Sequence, residues 1–353
     1  AFQDALADAG LEKSDIDGLI TMPGTTSPEG ARHYLALGEL LGLNPRIAWS
    51  LSMGGASVGA LVQQAALAID AGMATTVACV FGDAAKTGGS RFGAAAGGGD
   101  ADSWGIWGMF GNAANSAISA SRHMGVYGTT SEQLGWVGVV TRRHAALNPG
   151  AVMRTPYTIE DHQASRMIVE PLHLLDCCLI TDGAVAIIVT SRDRARHNAT
   201  RPVPILGMGQ AHSLQKLDKE DWWYMAHQRQ AIHDAYRMAG VGPADIDVAE
   251  LYDNFTISVL LWLEHAGFVK PGESGPFVEG GERISIGGEL PINTSGGNLS
   301  ESYMQGWLHV VEGVRQLRGG LGTRQVEGAE VALVTGRGMT LNTSAALVLG
   351  AER

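Results

Sequence analysis

The chain has 353 residues, enough for two domains or for one large two-fold unit, each with a full core. Hydrophobic residues at 45% and charged residues at 17% are ordinary for a globular protein, whereas 48 glycines predict many tight turns and close backbone approaches. A formal charge of −11 argues against nucleic-acid binding, which needs a concentrated basic surface, and no apolar run reaches the ~18 residues of a membrane span.

Three cysteines, Cys79, Cys177 and Cys178, are too few for a disulfide framework and lack zinc-site spacing, so a reducing, cytoplasmic setting is expected. Each reads as a small buried hydrophobe. The chain opens on Ala1, inside a helical pattern and without a starting Met, so an N-terminal strand is expected to be missing from it.

In chain order, the first element is a helix over about 1–9, followed by Gly10 and by Asp15-Ile16-Asp17 leading into a strand over about 17–22. The pair Gly54-Gly55 precedes a helix over 57–71, and an apolar strand follows over 75–82. A long connection from about 84 to 183 opens on the glycine- and tryptophan-rich run 93–111 and carries helical stretches such as 131–147. A strand over 184–191 closes this half.

The second half repeats the first. Residues 231–247 match residues 1–17 at eight of seventeen positions, a constant offset of 230, which signals one fold built twice. A helix over 227–239 leads to a strand over 247–252, Gly296-Gly297 opens a helix over 302–317, and strands follow over 330–336 and 344–350. Alternating helices and near-continuous apolar strands predict mixed sheets covered by helices. Two such halves, 1–199 and 200–353, give an α/β pile of five layers, α/β/α/β/α, with glycine-started helices between the sheets. The two copies differ in the long connection, which reads either as a lid with a dimer contact or as a dimer contact alone.

The passages EQLGWVGVVTRRHAALNPGA, SRMIVEPLHLLDCCLITDGAVAIIV, ELYDNFTISVLL and INTSGGNLSESYMQG resemble the thiolase superfamily, in its sterol-carrier-protein-x branch. The resemblance covers essentially the whole chain and implies the five-layered thiolase fold, a homodimer and an acyl-coenzyme A substrate. The catalytic positions depart from a working thiolase. Where that family has its nucleophilic cysteine, this chain reads Met53-Gly54-Gly55-Ala56-Ser57, with glycine near the nucleophile's place. The family's His-Asp-Cys-Phe becomes Tyr252-Asp253-Asn254-Phe255, and its Gly-His-Pro becomes Ser302-Tyr303-Met304 after Ser295-Gly296-Gly297. The late cysteine is absent from Val334-Thr335-Gly336-Arg337-Gly338.

Ser57 as a replacement nucleophile would need a base, and both family histidines are gone. The departures resemble those of the lipid-transfer-protein-like aldolases of steroid side-chain breakdown. Those proteins cleave a β-hydroxy acyl-CoA by a retro-aldol reaction, in complex with a DUF35-type partner that carries an OB-fold and often a zinc ribbon. The resemblance implies a steroid or similar acyl-CoA bearing a tertiary 3-hydroxyl, cleaved to a ketone and a short acyl-CoA such as propionyl-CoA, with no cofactor held by this chain.

On that reading Tyr252 is the base and Tyr303 the acid or oxyanion donor, an assignment that the sequence leaves reversible. A phenol ionises near pH ~10 in water, so a base role requires a depressed pKa or a relay partner. Asp253 and Asn254 are placed to hold a relay water, and Asp253 is itself a lesser candidate base. Gly55, Ser57, Asp253, Asn254 and Gly297 are expected to line the substrate pocket, Gly55 by leaving room for a bulky tertiary centre. His144 and His173 read as solvent-facing or packing residues, Lys86 as a solvated loop lysine, and Arg122, Arg142 and Arg143 carry no assignment. The competing reading is a non-catalytic subunit that binds acyl-CoA or lipid and supports a partner enzyme.

Overall fold

The computed structural model describes residues 1–89, 111–196, 200–213, 221–338 and 342–352. The glycine- and tryptophan-rich start of the long connection, 93–110, therefore lies outside the described residues.

The first half contains α1 (Phe2–Ala9), β1 (Gly18–Met22), α2 (His33–Leu41), β2 (Ile47–Ser50), α3 (Ser57–Asp70) and β3 (Thr76–Ala84). The connection then supplies α4 (Gly111–Tyr127), α5 (Ser131–Leu147), α6 (Ile159–Ala164), β4 (Met167–Val169) and β5 (Leu172–His173), before β6 (Asp182–Thr190) and α7 (Arg192–Ala195). The second half runs β7 (Ile205–His212), α8 (His227–Ala239), β8 (Val248–Glu250), α9 (Thr256–His265), α10 (Ser274–Val278), α11 (Trp307–Arg318), β9 (Val331–Gly338) and β10 (Thr343–Gly350).

The repeated residues do repeated work. Gly10 and Gly240 end α1 and α8 in the left-handed conformation, at φ 64° and 69°, which a glycine adopts without a Cβ clash. The Asp15 and Asp245 carboxylates each accept the backbone N–H three residues earlier, at 2.8 Å, and so fix the turn that follows. Asp17 accepts from the N–H groups of Thr75 and Thr76, and Asp247 from those of Glu330 and Val331, which ties each entering strand to the start of its neighbour.

Two four-stranded sheets result, ordered β2-β1-β3-β6 and β7-β10-β9-β8. In the first, β1 is parallel to β2 and β3 while β6 is antiparallel to β3; in the second, β8 is parallel to β9 and β10 is antiparallel to β9 and β7. Helices α3 and α11 touch strands of both sheets and form the middle layer, with α1 and α2 outside the first sheet and α8 outside the second. The middle core joins Val58 and Leu61 of α3, Trp307 of α11, Ile20 and Phe81 of the first sheet and Val334 and Leu347 of the second. Phe81 and Trp307 stack with ring centroids 5.8 Å apart.

A second core gathers Ala117 and Ala120 of α4, Leu134 and Val137 of α5, most of α9, and Tyr252 and Tyr303. The connection from the first half is thus packed against the second half, and the two share their hydrophobic interior.

Two expectations need correction. The strand expected over 247–252 ends at Glu250, and the helix expected over 302–317 begins at Trp307. Gly296 and Gly297, at φ 107° and 56°, open a π-helical turn over Gly297–Glu301 instead. Residues 302–306 then break the helix, with an extended Ser302 and left-handed Gln305 and Gly306 at φ 52° and 83°.

Candidate active site

Tyr252 leaves the end of β8 and Tyr303 stands in the break before α11, so two chain reversals, not two regular elements, aim the phenols. The Tyr252 N–H donates to Thr335 Oγ1 and the Tyr303 N–H to Thr181 Oγ1, both at 3.0 Å, which anchors one tyrosine to β9 and the other to the segment before β6. Their hydroxyls meet at 3.0 Å, and Tyr303 also donates to Gln305 Oε1 at 3.3 Å. The rings are 2% and 9% exposed, so the pair is screened from bulk water.

Burial disfavours phenolate and pushes both hydroxyls above the ordinary tyrosine range. The mutual hydrogen bond couples the two ionisations, so a single negative charge would be shared across the pair.

The remaining residues expected at the site fall into place differently. A Cβ on Gly55 would lie 2.1 to 2.3 Å from atoms of the Tyr252 ring, and one on Gly306 3.0 Å from it. The room left at residue 55 is therefore filled by the Tyr252 phenol itself, a correction to the expected substrate space. Gly297 likewise makes room for protein, because a Cβ there would meet Asp253 Oδ2 at 2.2 Å. Ser57 Oγ accepts the Met53 N–H at 2.7 Å and braces its own loop.

Asp253 faces away from the phenol pair. It accepts from the Asn298 N–H at 2.8 Å and sits 3.0 Å from His309 Nε2, whose Nδ1 lies 3.2 Å from Glu250 Oε2. Burial alone would lower the His309 pKa, but the Asp253 and Glu250 carboxylates outweigh it and raise it to about 10, leaving a buried imidazolium. Asn254 Oδ1 accepts from Ser258 Oγ at 2.8 Å on the first turn of α9. Neither side chain is aimed at a shared water beside Tyr252.

Three groups near the phenols carried no role in the sequence reading. Cys178, half-buried and read there as a packing residue, interacts electrostatically with both tyrosines; burial holds its thiol well above the usual range, so it remains protonated and unsuited to acyl transfer. His309 lies with its ring centroid 6.4 Å from that of Tyr252. Arg337 is 2% exposed on β9 and is felt by both phenols. Arg337 stands inside the Val334–Gly338 stretch where a cysteine is absent, and that stretch was the one signal that could have found it.

Elsewhere, His144 accepts the Ile286 N–H at 3.2 Å and is lowered to about 4 by burial, a packing role, and His173 bonds the Ser165 carbonyl at 2.8 Å. Two surface hollows, one lined by Ala117, Ile118 and Arg122 and the other by Arg201, Gln316 and Arg318, include neither phenol. Among the described residues no helix is long and apolar enough to cross a membrane.

Comparison with known proteins places the fold and the family. Residues 209–351 match the family described as Thiolase C-terminal domain-like. The chain is 39% identical to a steroid side-chain-cleaving aldolase from Thermomonospora curvata, over 99% of this chain and 91% of that protein. It is 40% identical to the 17-hydroxy-3-oxo-4-pregnene-20-carboxyl-CoA lyase of Mycobacterium tuberculosis, over 99% of this chain and 92% of the lyase. A solved structure of an Ltp2-ChsH2(DUF35) aldolase superposes with a TM-score of 0.89 at 37% identity, covering 100% of this chain and 91% of that one. A monomeric SCP2-thiolase-like protein from Mycobacterium smegmatis, at 19% identity and a TM-score of 0.75 over 100% of this chain and 73% of that one, shares the fold. Near-full-length identity and a common fold agree: the chain belongs to the thiolase-fold family of steroid side-chain-cleaving aldolases.

Proposed function

We propose that this chain cleaves the Cα–Cβ bond of a β-hydroxy acyl-CoA carrying a steroid ring system, giving a ketone and a short acyl-CoA such as propionyl-CoA. The observation that carries the reading is the hydroxyl pair of Tyr252 and Tyr303, 3.0 Å apart at two positions where a thiolase would hold imidazoles.

The reaction is redox-neutral and consumes no net proton. The tertiary alcohol gives up its proton, its oxygen becomes the ketone, and the Cα–Cβ electron pair passes into the thioester as an enolate. The enolate then takes a proton at Cα. Two hydroxyls in mutual hydrogen bond suffice to carry that proton from oxygen to carbon without an acyl-enzyme. With the pair singly ionised, Tyr252 takes the alcohol proton, Tyr303 gives its own to the enolate at Cα, and a proton passing from Tyr252 to Tyr303 along their hydrogen bond restores the pair. No cysteine thiolate is needed, in keeping with the protonated Cys178.

A complex with a DUF35-type partner belongs to the same reading, supported by the solved Ltp2-ChsH2(DUF35) aldolase, and the reading also includes a homodimer. So does a cytoplasmic setting. The test is an aldolase assay with a β-hydroxy steroid acyl-CoA, with and without a DUF35-type partner. Ketone and short acyl-CoA formed without free CoA are the expected products. Tight CoA-ester binding with no cleavage in the partner's presence would overturn the reading in favour of a non-catalytic binding subunit.

A further inference from the structure

Arg337 is a fully interior guanidinium, 2% exposed. Its only hydrogen-bond partners among the described residues are the Met225 sulfur at 3.3 Å and Ser116 Oγ at 3.2 Å, and its Nε has none. No carboxylate among the described residues forms an ion pair with it. Arg324 by contrast pairs with Glu312, His309 lies between Asp253 and Glu250, and the buried Arg142 bonds Ser300 Oγ and the Thr155 carbonyl. Burying a guanidinium with no counter-charge costs several kcal/mol, so its place beside a pair of ionisable hydroxyls calls for a function.

We propose that Arg337 is the standing counter-charge of the Tyr252–Tyr303 pair, holding the single negative charge that the pair must carry, as one phenolate, before it can take the substrate's alcohol proton. The proposal rests on the retro-aldol reading above. Arg337 acts through the phenols and is a positioning residue: it shares a face of β9 with Thr335, two residues earlier, whose Oγ1 takes the Tyr252 N–H, and it interacts electrostatically with both phenols. The charge is fixed before the reaction, and the low-dielectric interior strengthens its pull on a phenolate. Burial lowers the Arg337 pKa to about 10, which still leaves the side chain charged near neutrality.

The other titratable groups facing the pair do not replace it. Cys178, from the segment before β6, remains a neutral thiol; Asp253, next to Tyr252, disfavours phenolate; His309 of α11 is already neutralised by two carboxylates.

The test places a trifluorotyrosine at position 252 of the full-length chain and follows its phenolate absorbance against pH, in otherwise unchanged protein and in the Arg337→Gln and Arg337→Lys backgrounds. The expected result is a midpoint at least one unit higher with Gln and largely restored with Lys. In turnover without the label, the pH at which kcat/KM rises should move by the same amount, a loss of about tenfold or more at pH 7 for Arg337→Gln. A loss of activity uniform across pH, or an unmoved midpoint, overturns the proposal. Should the Gln chain fail to fold, Arg337→Met, which also removes the charge, takes its place: a midpoint raised by a unit or more, with Lys near the unchanged protein, supports the proposal, and an unmoved midpoint overturns it. A shifted midpoint in a chain that cleaves nothing would sink the retro-aldol reading and leave Arg337's charge role standing.

Discussion

The phenol of Tyr252 occupies the space above residue 55 only because that residue has no side chain. Gly55 and Tyr252 are two halves of one substitution, a small residue at one position admitting a large one at another. Gly55→Ala should therefore rotate the Tyr252 ring away from Tyr303, and a misplacement of ~1 Å is enough to lower kcat about 100-fold. Removing either hydroxyl tests the pair directly. Tyr252→Phe and Tyr303→Phe should each lower kcat by about 10²- to 10⁴-fold while costing only about 1 kcal/mol of stability. Steady-state kinetics beside thermal melts check both figures; full activity in both variants would exclude the phenols as proton carriers. The sequence pointed to Tyr252 and Tyr303 because each interrupts a recognisable thiolase motif, but their meeting at 3.0 Å depends on backbone paths that no motif encodes. The same limit explains Gly55 and Gly297, where a missing side chain shows that room exists and not what fills it.

At the scale of elements, the π-turn over Gly297–Glu301 and the break at 302–306 decide where Tyr303 stands. Hydrophobic periodicity carries a helix through this region, and it placed the start of α11 near 302 rather than at Trp307 because no period distinguishes a wide turn from a helix start. The turn's first N–H groups are held by Asp253, and Asp253 is held by His309 in the first turn of α11. Glu250 at the end of β8 completes the array on the other imidazole nitrogen. This buried charge array ties strand, turn and helix together around the site. Replacing His309 by Gln would leave two interior carboxylates without their cation, at a cost of about 3–5 kcal/mol. Chemical denaturation near pH 7 measures it. A variant as stable as the parent would show that the imidazole carries no charge in the folded chain. His309 gave no signal in the sequence, since a lone histidine on a helix is most often a packing residue.

At the scale of the molecule, the duplication was legible because the matched residues Gly10/Gly240, Asp15/Asp245 and Asp17/Asp247 make the same local bonds in both halves. How the long connection crosses to the other half was not legible, because the contacts that hold it are scattered over distant positions. One of them is titratable. Asn148, at the end of α5, donates to both the Ser295 carbonyl and Glu301 Oε1, and Glu301 Oε2 accepts from Ser295 Oγ. The backbone of Val152 and Met153 bonds the carbonyls of Glu301 and Ser300 across the same seam. Burial is the main cause that raises the Glu301 carboxyl, opposed by its bond from Ser295 and reinforced by Glu312, to about 7 from an ordinary 4.5. A raised acid pKa means that the folded chain holds its proton more tightly than the unfolded one. The stabilisation is therefore full below pH 4.5 and is lost as pH rises through about 7, on the order of 3 kcal/mol in total. Glu301→Gln keeps the shape and an amide oxygen that can accept from Ser295 Oγ but cannot ionise, so it removes that loss. Urea unfolding of parent and variant at pH 5 and pH 8 should show nearly equal stabilities at the lower pH and a more stable variant at the higher one. A gap that stays constant between the two would mean that Glu301 does not titrate in the seam, and that the connection is held to the second half without a pH-sensitive joint.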